Sequence, residues 1–357
     1  MTVPDRRLTG PVEVIGTGLL GTSVALACRR AGLEVLLSDL SADHVRTASG
    51  LGAGRPREAG DRPQLVVVAV PPALLGEVIA SALAASGAVV TDVGSVKGAP
   101  LAAVRGVPGA ERYVGGHPMA GNERSGPLAA SATLFDGRPW AVTPHAVSSP
   151  ESVALVTELA ELCGAVVVRM DPHEHDRAVA RISHLPHLMS VLTASRLAGA
   201  PESELTLSGQ GVRDVTRVAA GDPALYAQIV AGNSDAVLGL LGEVREQLDG
   251  LIAALESGDS GAVSALLRRG VEGTRAIPGK HGGAATPAGS VFVVVPDEPG
   301  NLARLFSDAG ESGVNIEDVR IDHDPGRQVG VVELLVSAGL ADGFAAALES
   351  RGWATHR

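Results

Sequence analysis

Residues 12–39 read VEVIGTGLLGTSVALACRRAGLEVLLSD and decide the fold of the first part of the chain. A β-rich run ends at Gly16, and the spacing Gly16-x-Gly18-x-x-Gly21 opens an Ala- and Leu-rich segment that predicts a helix. Asp39 ends the next β-rich run, about 20 residues beyond the second glycine. In this context glycines permit a tight turn and close approach of a pyrophosphate to the helix N-terminus, and the carboxylate accepts hydrogen bonds from a ribose 2′-hydroxyl. The stretch therefore predicts a dinucleotide site.

The kind of dinucleotide follows from the charge at the end of the second β-rich run. A carboxylate at Asp39 repels a 2′-phosphate, and no arginine follows it immediately, so NAD is favoured over NADP. The alternative is that the glycines only turn the chain and that Asp39 only caps a helix. The predicted cofactor contacts are Gly16, Gly18, Leu19, Leu20, Gly21, Asp39, Val70 and Pro71.

The sequence beyond this stretch alternates short β-rich runs with Ala- and Leu-rich segments, the pattern of an α/β fold with a parallel sheet. The run LVVVAV, residues 65–70, is apolar throughout, as expected of a central strand with helices on both faces. The predicted strands are Val12–Gly16, Val35–Asp39, Leu65–Val70, Ala88–Val93, Trp140–Thr143 and Val166–Met170. They predict a Rossmann-like parallel-sheet domain in residues 1–170.

A change of pattern at Asp171 predicts an all-helical second domain over residues 171–276. Asp171, Pro172 and Glu174 have the spacing of an N-cap, a first-turn proline and a capping-box acid. Residues 277–289 are rich in Gly, Pro and Ala and lack periodicity, which is typical of a linker. A small α+β domain is predicted last, over residues 290–357, with strands at 290–295, 314–321 and 328–336 and a helix at Asn301–Ser312.

Composition narrows the classes of function. With 29 Lys and Arg against 40 Asp and Glu, the formal net charge is −11, so nucleic acid is not an expected partner. Apolar residues make up 45% of the chain, which is typical of folded proteins. The start, MTVPDRR, lacks an apolar segment, and the longest uncharged run, Val78–Thr91, is too short to span a bilayer. We expect a cytoplasmic protein with no membrane partner, in which Cys28 and Cys163 are free thiols.

His117 is the candidate general base. It stands in GGHPMAG, residues 115–121, where the glycines predict a turn after a β-rich run. Histidine titrates near neutrality and can take a proton from a hydroxyl while hydride leaves the same carbon. Ser95, in TDVGSVK, follows another strand, where loops line a ligand crevice, and could orient His117 by a hydrogen bond. The alternatives are a structural loop histidine and an ordinary serine turn.

The predicted helical domain offers groups for an anionic substrate. His184 and His187 lie three residues apart on one helix face, and Pro186 is expected to kink that helix. Arg213 and Arg217 lie four residues apart and can hold a carboxylate by bidentate hydrogen bonds. The alternative for the two arginines is a solvated charged face.

A metal site must also be considered, because His173-x-His175 lies near His184. Nine residues separate His175 from His184, about half a turn around a straight helix. Neither cysteine nor a well-spaced carboxylate completes a ligand shell. We therefore expect no metal and favour contact with substrate for His184, while the role of His175 stays open.

Six segments, in this order, resemble the prephenate and arogenate dehydrogenases of tyrosine biosynthesis: GTGLLGTS, TDVGSVKG, GGHPMAGNERSG, HDRAVARISHLPH, GVRDVTRVAAGDP and IPGKHG. The resemblance as a whole covers nearly the whole chain. The resemblance implies an NAD-dependent oxidative decarboxylation: hydride leaves C4 of a cyclohexadienol, the C4 hydroxyl loses its proton, and carbon dioxide leaves as the ring aromatises. Prephenate would give 4-hydroxyphenylpyruvate.

The resemblance also implies roles for single residues. His117 matches the catalytic histidine, and Ser95 matches the serine that hydrogen-bonds it. His187 and Arg217 match substrate-binding positions, and we add His184 and Arg213 to that set. Further matches are the acidic Glu123 and Asp214, which would gate the cleft by pairing with arginine, and Tyr226, which stands where some relatives carry tryptophan.

Two implications concern assembly and regulation. The helical domain of the family forms an intertwined dimer, so a homodimer is expected. The C-terminal PDEPGNLARLFSDAGESGVNIEDVRI resembles an ACT domain, an amino-acid-sensing module of ferredoxin-like fold. The expected effector is L-tyrosine, and the predicted regulatory residues are Asp297, Pro299, Gly300 and Asn301. The alternative is an ACT-like unit that only stabilises the dimer.

Three other functions stay open at this point. Arogenate dehydrogenase acts on a substrate that differs only by an amino group in place of the side-chain keto group. A catalytically silent regulator that senses NAD and amino acids could use the same domains, although it would have no use for the base His117. A hydroxyacid dehydrogenase of the same fold should carry a catalytic lysine where this chain has His184 and His187.

Overall fold

The computed structural model describes residues 6–121, 125–277, 288–323 and 329–357. The chain forms two compact units, Met1–Glu246 and Gln247–Arg357. Glu123 and nearly all of the predicted linker lie outside the described residues. The three predicted domains are defined differently from these two units, and their boundaries stay predictions.

A parallel sheet of five strands forms the centre of the first unit, in the order β3-β2-β1-β4-β5. The chain moves outward from β1 to β3 and then crosses back to β4 beside β1, which opens a crevice at the carboxyl ends of β1 and β4. The strands are β1 Val12–Ile15, β2 Val35–Ser38, β3 Arg55–Pro56, β4 Leu65–Val68 and β5 Val89–Asp92, and the helices between and after them are α1 Leu19–Arg30, α2 Ala42–Gly50, α3 Leu75–Ala85 and α4 Gly98–Val104.

The apolar pattern places the strands as predicted. All four residues of β4 are buried, because β1 and β5 flank it in the sheet and helices cover the faces. The Rossmann-like α/β fold predicted for this part of the chain is confirmed.

A second sheet in the same unit carries His117. It has the order β6-β7-β8, in which β6 is antiparallel to β7 and β7 is parallel to β8. The strands are β6 Gly115–Pro118, β7 Pro139–Thr143 and β8 Val166–Arg169, and the helix α5 Pro150–Leu162 precedes β8. The predicted turn at 115–121 is therefore wrong at its start. A Cβ on Gly116 would lie 2.7 Å from the Asp92 carbonyl oxygen, and one on Gly115 would lie 2.5 Å from Thr143 Oγ1. The two glycines serve close approach of β6 to its neighbours.

Helices follow β8. Asp171 caps α6 and forms the predicted capping box with Glu174. The helix does not continue straight into the next one, because residues Ala180–His184 form a π turn. The helices are α6 Pro172–Val179, α7 Leu185–Ser195, α8 Glu202–Leu205, α9 Gln210–Thr216, α10 Pro223–Gly232, α11 Ser234–Ser257 and α12 Ser260–Arg275, with a 3₁₀ turn at Arg217–Ala220.

No single helix of the described residues is long and apolar enough to cross a bilayer. Helices α10 and α11, which lie at 94° to each other, reach that length and apolar composition only when taken together.

The second unit ends in an antiparallel sheet of order β10-β11-β9-β12. Its βαββαβ succession is that of a ferredoxin-like fold, as predicted for this part of the chain. One face of the sheet packs against two helices around Val293, Leu334, Phe344 and Trp353. The elements are β9 Ala288–Pro296, α13 Asn301–Glu311, β10 Ile316–His323, β11 Val329–Ser337, α14 Ala341–Ser350 and β12 Ala354–His356.

Candidate functional site

The glycine turn between β1 and α1 leaves space for a ligand at one glycine only. Gly16 has φ +98°, and a Cβ there would lie 2.3 Å from the Ala69 carbonyl oxygen. A Cβ on Gly21 would lie 1.9 Å from the Gly16 carbonyl oxygen, so both glycines serve close packing. By contrast, no atom lies within 4 Å of the position that a Cβ on Gly18 would take. Gly18 therefore leaves the N-terminus of α1 open, as a pyrophosphate requires.

Hydrogen bonds fix the carboxylate of Asp39 beside this turn. One carboxylate oxygen, Oδ2, accepts hydrogen bonds from the Thr17 backbone N–H at 2.6 Å and from its hydroxyl at 2.9 Å, and Oδ1 accepts from the Ser41 N–H at 2.8 Å. Burial opposes ionisation, but the hydrogen bonds from Ser41 and Thr17 outweigh it and lower the pKa of Asp39. The next residue, Leu40, is fully exposed. A charged Asp39 and an apolar Leu40 fit the ribose and the flat base of NAD.

The other predicted cofactor contacts lie around the same turn. Leu19 and Leu20 form the first turn of α1 and are half-buried. Val70 is half-buried and Pro71 is exposed, and both follow β4, whose end lies against Gly16. The structure thus brings all the predicted cofactor residues to the carboxyl ends of β1, β2 and β4.

Three side chains join in series at His117. Its Nδ1 lies 2.8 Å from Nε2 of His175, and Nδ1 of His175 lies 2.8 Å from Oδ1 of Asp176. His175 and Asp176 lie on α6, and both are buried. His175 is 58 residues beyond His117 in the sequence. The predicted hydrogen bond from Ser95 to His117 is not formed in the described part of the chain. His175, not Ser95, contacts Nδ1 of His117.

Asp176 also ties α6 to the loop that carries Ser95. Its two carboxylate oxygens accept the backbone N–H groups of Lys97 at 2.8 Å and of Gly98 at 2.7 Å. Burial opposes ionisation of Asp176, but the His175 hydrogen bond and these two N–H groups lower its pKa overall. The carboxylate is therefore charged at neutral pH.

A buried ion pair underlies the loop. The Lys97 ammonium contacts the Asp92 carboxylate and also donates to the Gly116 carbonyl at 2.7 Å, one residue before His117. The Tyr113 hydroxyl donates to the same carboxylate at 2.9 Å. Burial lowers the pKa of Lys97, an effect that Asp92 opposes, and burial raises the pKa of Tyr113. This cluster fixes the end of β5 against β6.

The environment keeps His117 neutral. Removal of its ring from water lowers the pKa of His117 well below 6.5, and the nearby His175, Lys97 and His184 lower it further. The ring nevertheless keeps some exposure, and no hydrogen bond engages Nε2 among the described residues. His117 can therefore accept a proton at neutral pH.

His184 lies at the end of the π turn, close to the series formed by His117, His175 and Asp176. The Asn233 side-chain amide donates to the Asp176 backbone carbonyl at 2.7 Å and lies 3.3 Å from Nδ1 of His184. Burial lowers the pKa of His184. The half-turn separation of His175 and His184 assumed a straight helix, and that assumption is wrong, because residues Ala180–His184 form a π turn.

His187 has an unsatisfied polar atom. Its ring stacks on Tyr226, with 3.4 Å between ring centroids and 4° between planes, and burial lowers its pKa. Nδ1 of His187 is buried without a hydrogen-bond partner among the described residues. Most buried polar atoms have a hydrogen-bond partner, so this nitrogen is an exception in the described part of the chain.

Arg213 and Arg217 are exposed, on α9 and at the start of the 3₁₀ turn. This segment is joined to α7 by the Ser190 hydroxyl, which donates to the Val215 carbonyl at 2.7 Å. Neither arginine forms an ion pair with the residues that the structure describes. Asp214 accepts a hydrogen bond from Gln210 at 2.9 Å instead of pairing with them.

The structure also bears on the metal site and on the predicted regulatory residues. In the described ranges no three His, Cys, Asp or Glu side chains are grouped as a metal site. The predicted regulatory residues lie in the second unit, in the exposed loop that joins β9 to α13 and at the first residue of α13.

From the sequence, the role of His175 stayed open, and Asp176 and Lys97 were not identified as members of the site. The signal was present for Asp176, because a capped helix start after the last β-strand of an α/β domain lies near the ligand crevice. No spacing in the sequence shows that His175 reaches His117.

Comparisons with known proteins agree with this geometry. Residues 24–169 match the prephenate dehydrogenase nucleotide-binding domain, and residues 171–269 match the prephenate dehydrogenase dimerization domain. The chain is 34% identical to the probable prephenate dehydrogenase NovF of Streptomyces niveus, over 95% of this chain and 98% of NovF. It is 29% identical to the prephenate dehydrogenase of Bacillus subtilis, over 87% of each protein.

Solved structures give the same result. The prephenate dehydrogenase of A. aeolicus in complex with hydroxyphenyl propionate and NAD+ has a TM-score of 0.68 at 26% identity, covering 75% of this chain and 99% of that one. The Synechocystis arogenate dehydrogenase has a TM-score of 0.64 at 29% identity, covering 74% and 98%. Together with the nucleotide site built from Gly18 and Asp39, these matches show that the chain belongs to the prephenate dehydrogenase family and is an oxidoreductase that uses NAD.

Proposed function

We propose that this enzyme converts prephenate to 4-hydroxyphenylpyruvate and carbon dioxide, with NAD as the oxidant. The observation that carries the proposal is His117, a neutral histidine with an unengaged Nε2, held by His175 in the unit that carries the dinucleotide turn. A base in this position suits the removal of a hydroxyl proton. The family match supports prephenate as the substrate.

The proton steps are assigned to His117. When bound, NAD accepts the hydride from C4 of the substrate. His117 takes the C4 hydroxyl proton at Nε2, which gives a dienone. The bond from C1 to the carboxylate carbon then breaks, carbon dioxide leaves, and its electron pair makes the ring aromatic. His117 returns the proton to the phenolate oxygen, so the cycle consumes no net proton.

The substrate carries two carboxylates, which need cationic groups or hydrogen-bond donors. Arg217, exposed and without an ion pair among the described residues, is the proposed partner of one carboxylate, with Arg213 beside it. His187 and His184 are the other proposed contacts, by the match of His187 to a substrate-binding position and by the place of His184 beside Asn233. Tyr226 supports His187 by stacking, whereas a direct role for it in binding substrate is not needed.

Steady-state turnover with prephenate and with arogenate, each with NAD and with NADP, tests the proposal. We expect release of carbon dioxide and formation of NADH with prephenate and NAD. Faster turnover of arogenate would show that the enzyme is an arogenate dehydrogenase. Binding of NAD without turnover of either compound would indicate a silent sensor. Asp39→Ala should narrow the preference for NAD over NADP, because it removes repulsion of the 2′-phosphate.

We also propose that the enzyme acts in the cytoplasm as a homodimer. Residues 171–269 match a dimerization domain, and apolar side chains are exposed on α11 and α12. They are Leu248, Ile252, Leu255, Leu267 and Val271, each 45–67% exposed. Clusters of exposed apolar side chains of this kind mark association surfaces. Light scattering at micromolar concentration should give twice the chain mass, and a monomer would contradict the proposal.

Residues 290–357, in the second unit, are proposed to form an ACT domain that binds L-tyrosine. Its ferredoxin-like topology and the open N-terminus of α13 support this, because Gly300, with φ +95°, caps the helix without a side chain. We expect tyrosine to change turnover in the full chain and to lose this effect after Gly300→Ala or truncation after Gly283. Inhibition that survives both changes would place tyrosine in the catalytic cleft.

A further inference from the structure

The series Asp176, His175 and His117 holds the His117 ring in position and also bears on which of its nitrogens carries the proton. We infer that Asp176 and His175 are positioning residues that hold His117 as the Nδ1–H tautomer, with Nε2 unprotonated toward the substrate. The inference rests on the proposed function for its consequence, although the tautomer itself is a property of the free enzyme. It concerns the proton between two specific nitrogens, the 2.8 Å pair of His117 Nδ1 and His175 Nε2.

The series starts at a carboxylate that can only accept. Oδ1 of Asp176 receives the Lys97 backbone N–H and faces Nδ1 of His175, and Oδ2 receives the Gly98 N–H. An ionised carboxylate has no proton to donate, so Nδ1 of His175 must carry the proton in the 2.8 Å bond between them. In neutral His175, Nε2 is then an acceptor.

The next bond transfers this constraint to His117. The two nitrogens that face each other share one proton, and an acceptor at His175 Nε2 requires a donor at His117 Nδ1. Neutral His117 consequently has its lone pair at Nε2, the nitrogen without a hydrogen-bond partner among the described residues. The opposite tautomer would present N–H to the substrate hydroxyl and could not take its proton.

One arrangement of the protons would reverse the tautomer of His117. A doubly protonated His175 would donate from both nitrogens and force His117 into the Nε2–H form. That cation would be buried at 1% exposure beside the His117 ring, whose surroundings already include the Lys97 ammonium. The other titratable groups facing the pair are His184 and Asp176, and only Asp176 is negative. His175 needs to be only an acceptor toward His117, and its own basicity is not used.

The substitution of choice is therefore His175→Gln, whose amide can place an oxygen toward His117 and its N–H₂ toward Asp176. His175→Leu removes the acceptor at similar size. His173 lies on the same helix and is exposed, so His173→Gln and His173→Leu are the matched controls.

The test reads the tautomer directly and then the rate. In enzyme labelled with ¹⁵N-histidine, long-range ¹H–¹⁵N spectra, assigned with His117→Asn, should show His117 protonated at Nδ1 only. His175→Leu should lose this pattern and at least about 10-fold in kcat, part of the 10²–10⁴-fold that a general base supplies, with little change in KM. His175→Gln should keep both the pattern and most of kcat, as should the two His173 variants.

Two outcomes overturn the inference. One is a native spectrum with the proton of His117 on Nε2, and the other is a His175→Leu enzyme with an unchanged spectrum and rate. If His175→Leu does not fold, the native spectrum alone decides. If the native enzyme does not turn over prephenate, the proposed function fails, whereas the spectrum still tests the tautomer.

Discussion

A histidine acts as a base or as a donor according to what its other ring nitrogen contacts. In this protein the decisive contact is between His117 and His175, and the sequence does not reveal it. His117, His187 and Arg217 were identified from their residue types and from the family resemblance. The partner of His117 depends on where α6 begins in space, which spacing along the chain cannot give.

Replacement of the base is the first prediction at this scale. His117→Asn should lower kcat by roughly 10²–10⁴-fold and leave NAD affinity nearly unchanged, because only the proton transfer is lost. Stopped-flow turnover and equilibrium binding of NAD measure the two effects. A variant with most of its turnover would show that another group takes the proton.

The low pKa of His117 predicts the pH dependence of the reaction. Burial, His175, Lys97 and His184 lower that pKa below 6.5, so the base loses its proton at a lower pH than an ordinary histidine. The acid limb of a plot of log kcat/KM against pH should have its midpoint below 6.5. A midpoint above 7 would be inconsistent with this environment for the base.

At the scale of elements, most strands and the helix α13 were predicted because they have apolar runs or a clear apolar periodicity. β6 was missed, because Gly115 and Gly116 have the composition of a turn and their purpose, close approach to Asp92 and Thr143, exists only in three dimensions. The π turn was missed for a similar reason, since Pro186 predicts a kink but not its form. The short strands β3 and β12 carry too few residues for a pattern.

The ion pair that joins β5 to β6 yields a prediction at this scale. Lys97→Met leaves the Asp92 carboxylate buried and unpaired, which should lower the free energy of unfolding by about 3–5 kcal/mol. Adding Asp92→Asn should recover part of the loss. Urea unfolding followed by Trp140 fluorescence, in a Trp353→Phe background, measures both.

The control for this experiment is Arg30→Met. Arg30 pairs with Asp136 at 3.2 Å, and both side chains are over 40% exposed. Its loss should cost less than about 1 kcal/mol. Equal effects of the buried and the exposed substitution would contradict the role given to Lys97.

For the whole molecule, the histidines link stability to pH. Burial lowers the pKa of His117, His145, His184 and His187 in the folded state. As pH falls below 6.5, the unfolded chain binds protons that the folded chain does not, so stability is lost in this direction. A histidine that stays neutral costs about 1.4 kcal/mol between pH 7.5 and 5.5. The urea midpoint should therefore be lower at pH 5.5, and equal midpoints would contradict the prediction.

The π turn Ala180–His184 gives the active site an unusual dependence on chain length. A π turn spans one residue more than an α-helical turn, so the segment amounts to a one-residue insertion in a continuous helix. Each residue of an α-helix advances the direction of its side chain by about 100°. Deleting Ile182, which is 64% exposed, should restore a regular helix and abolish turnover, because His187 rotates away from the site. The same rotation moves Leu185 and Leu188 out of the core around Val237, so the urea midpoint should fall as well. We therefore expect catalysis in this protein to depend on the one additional residue of the π turn.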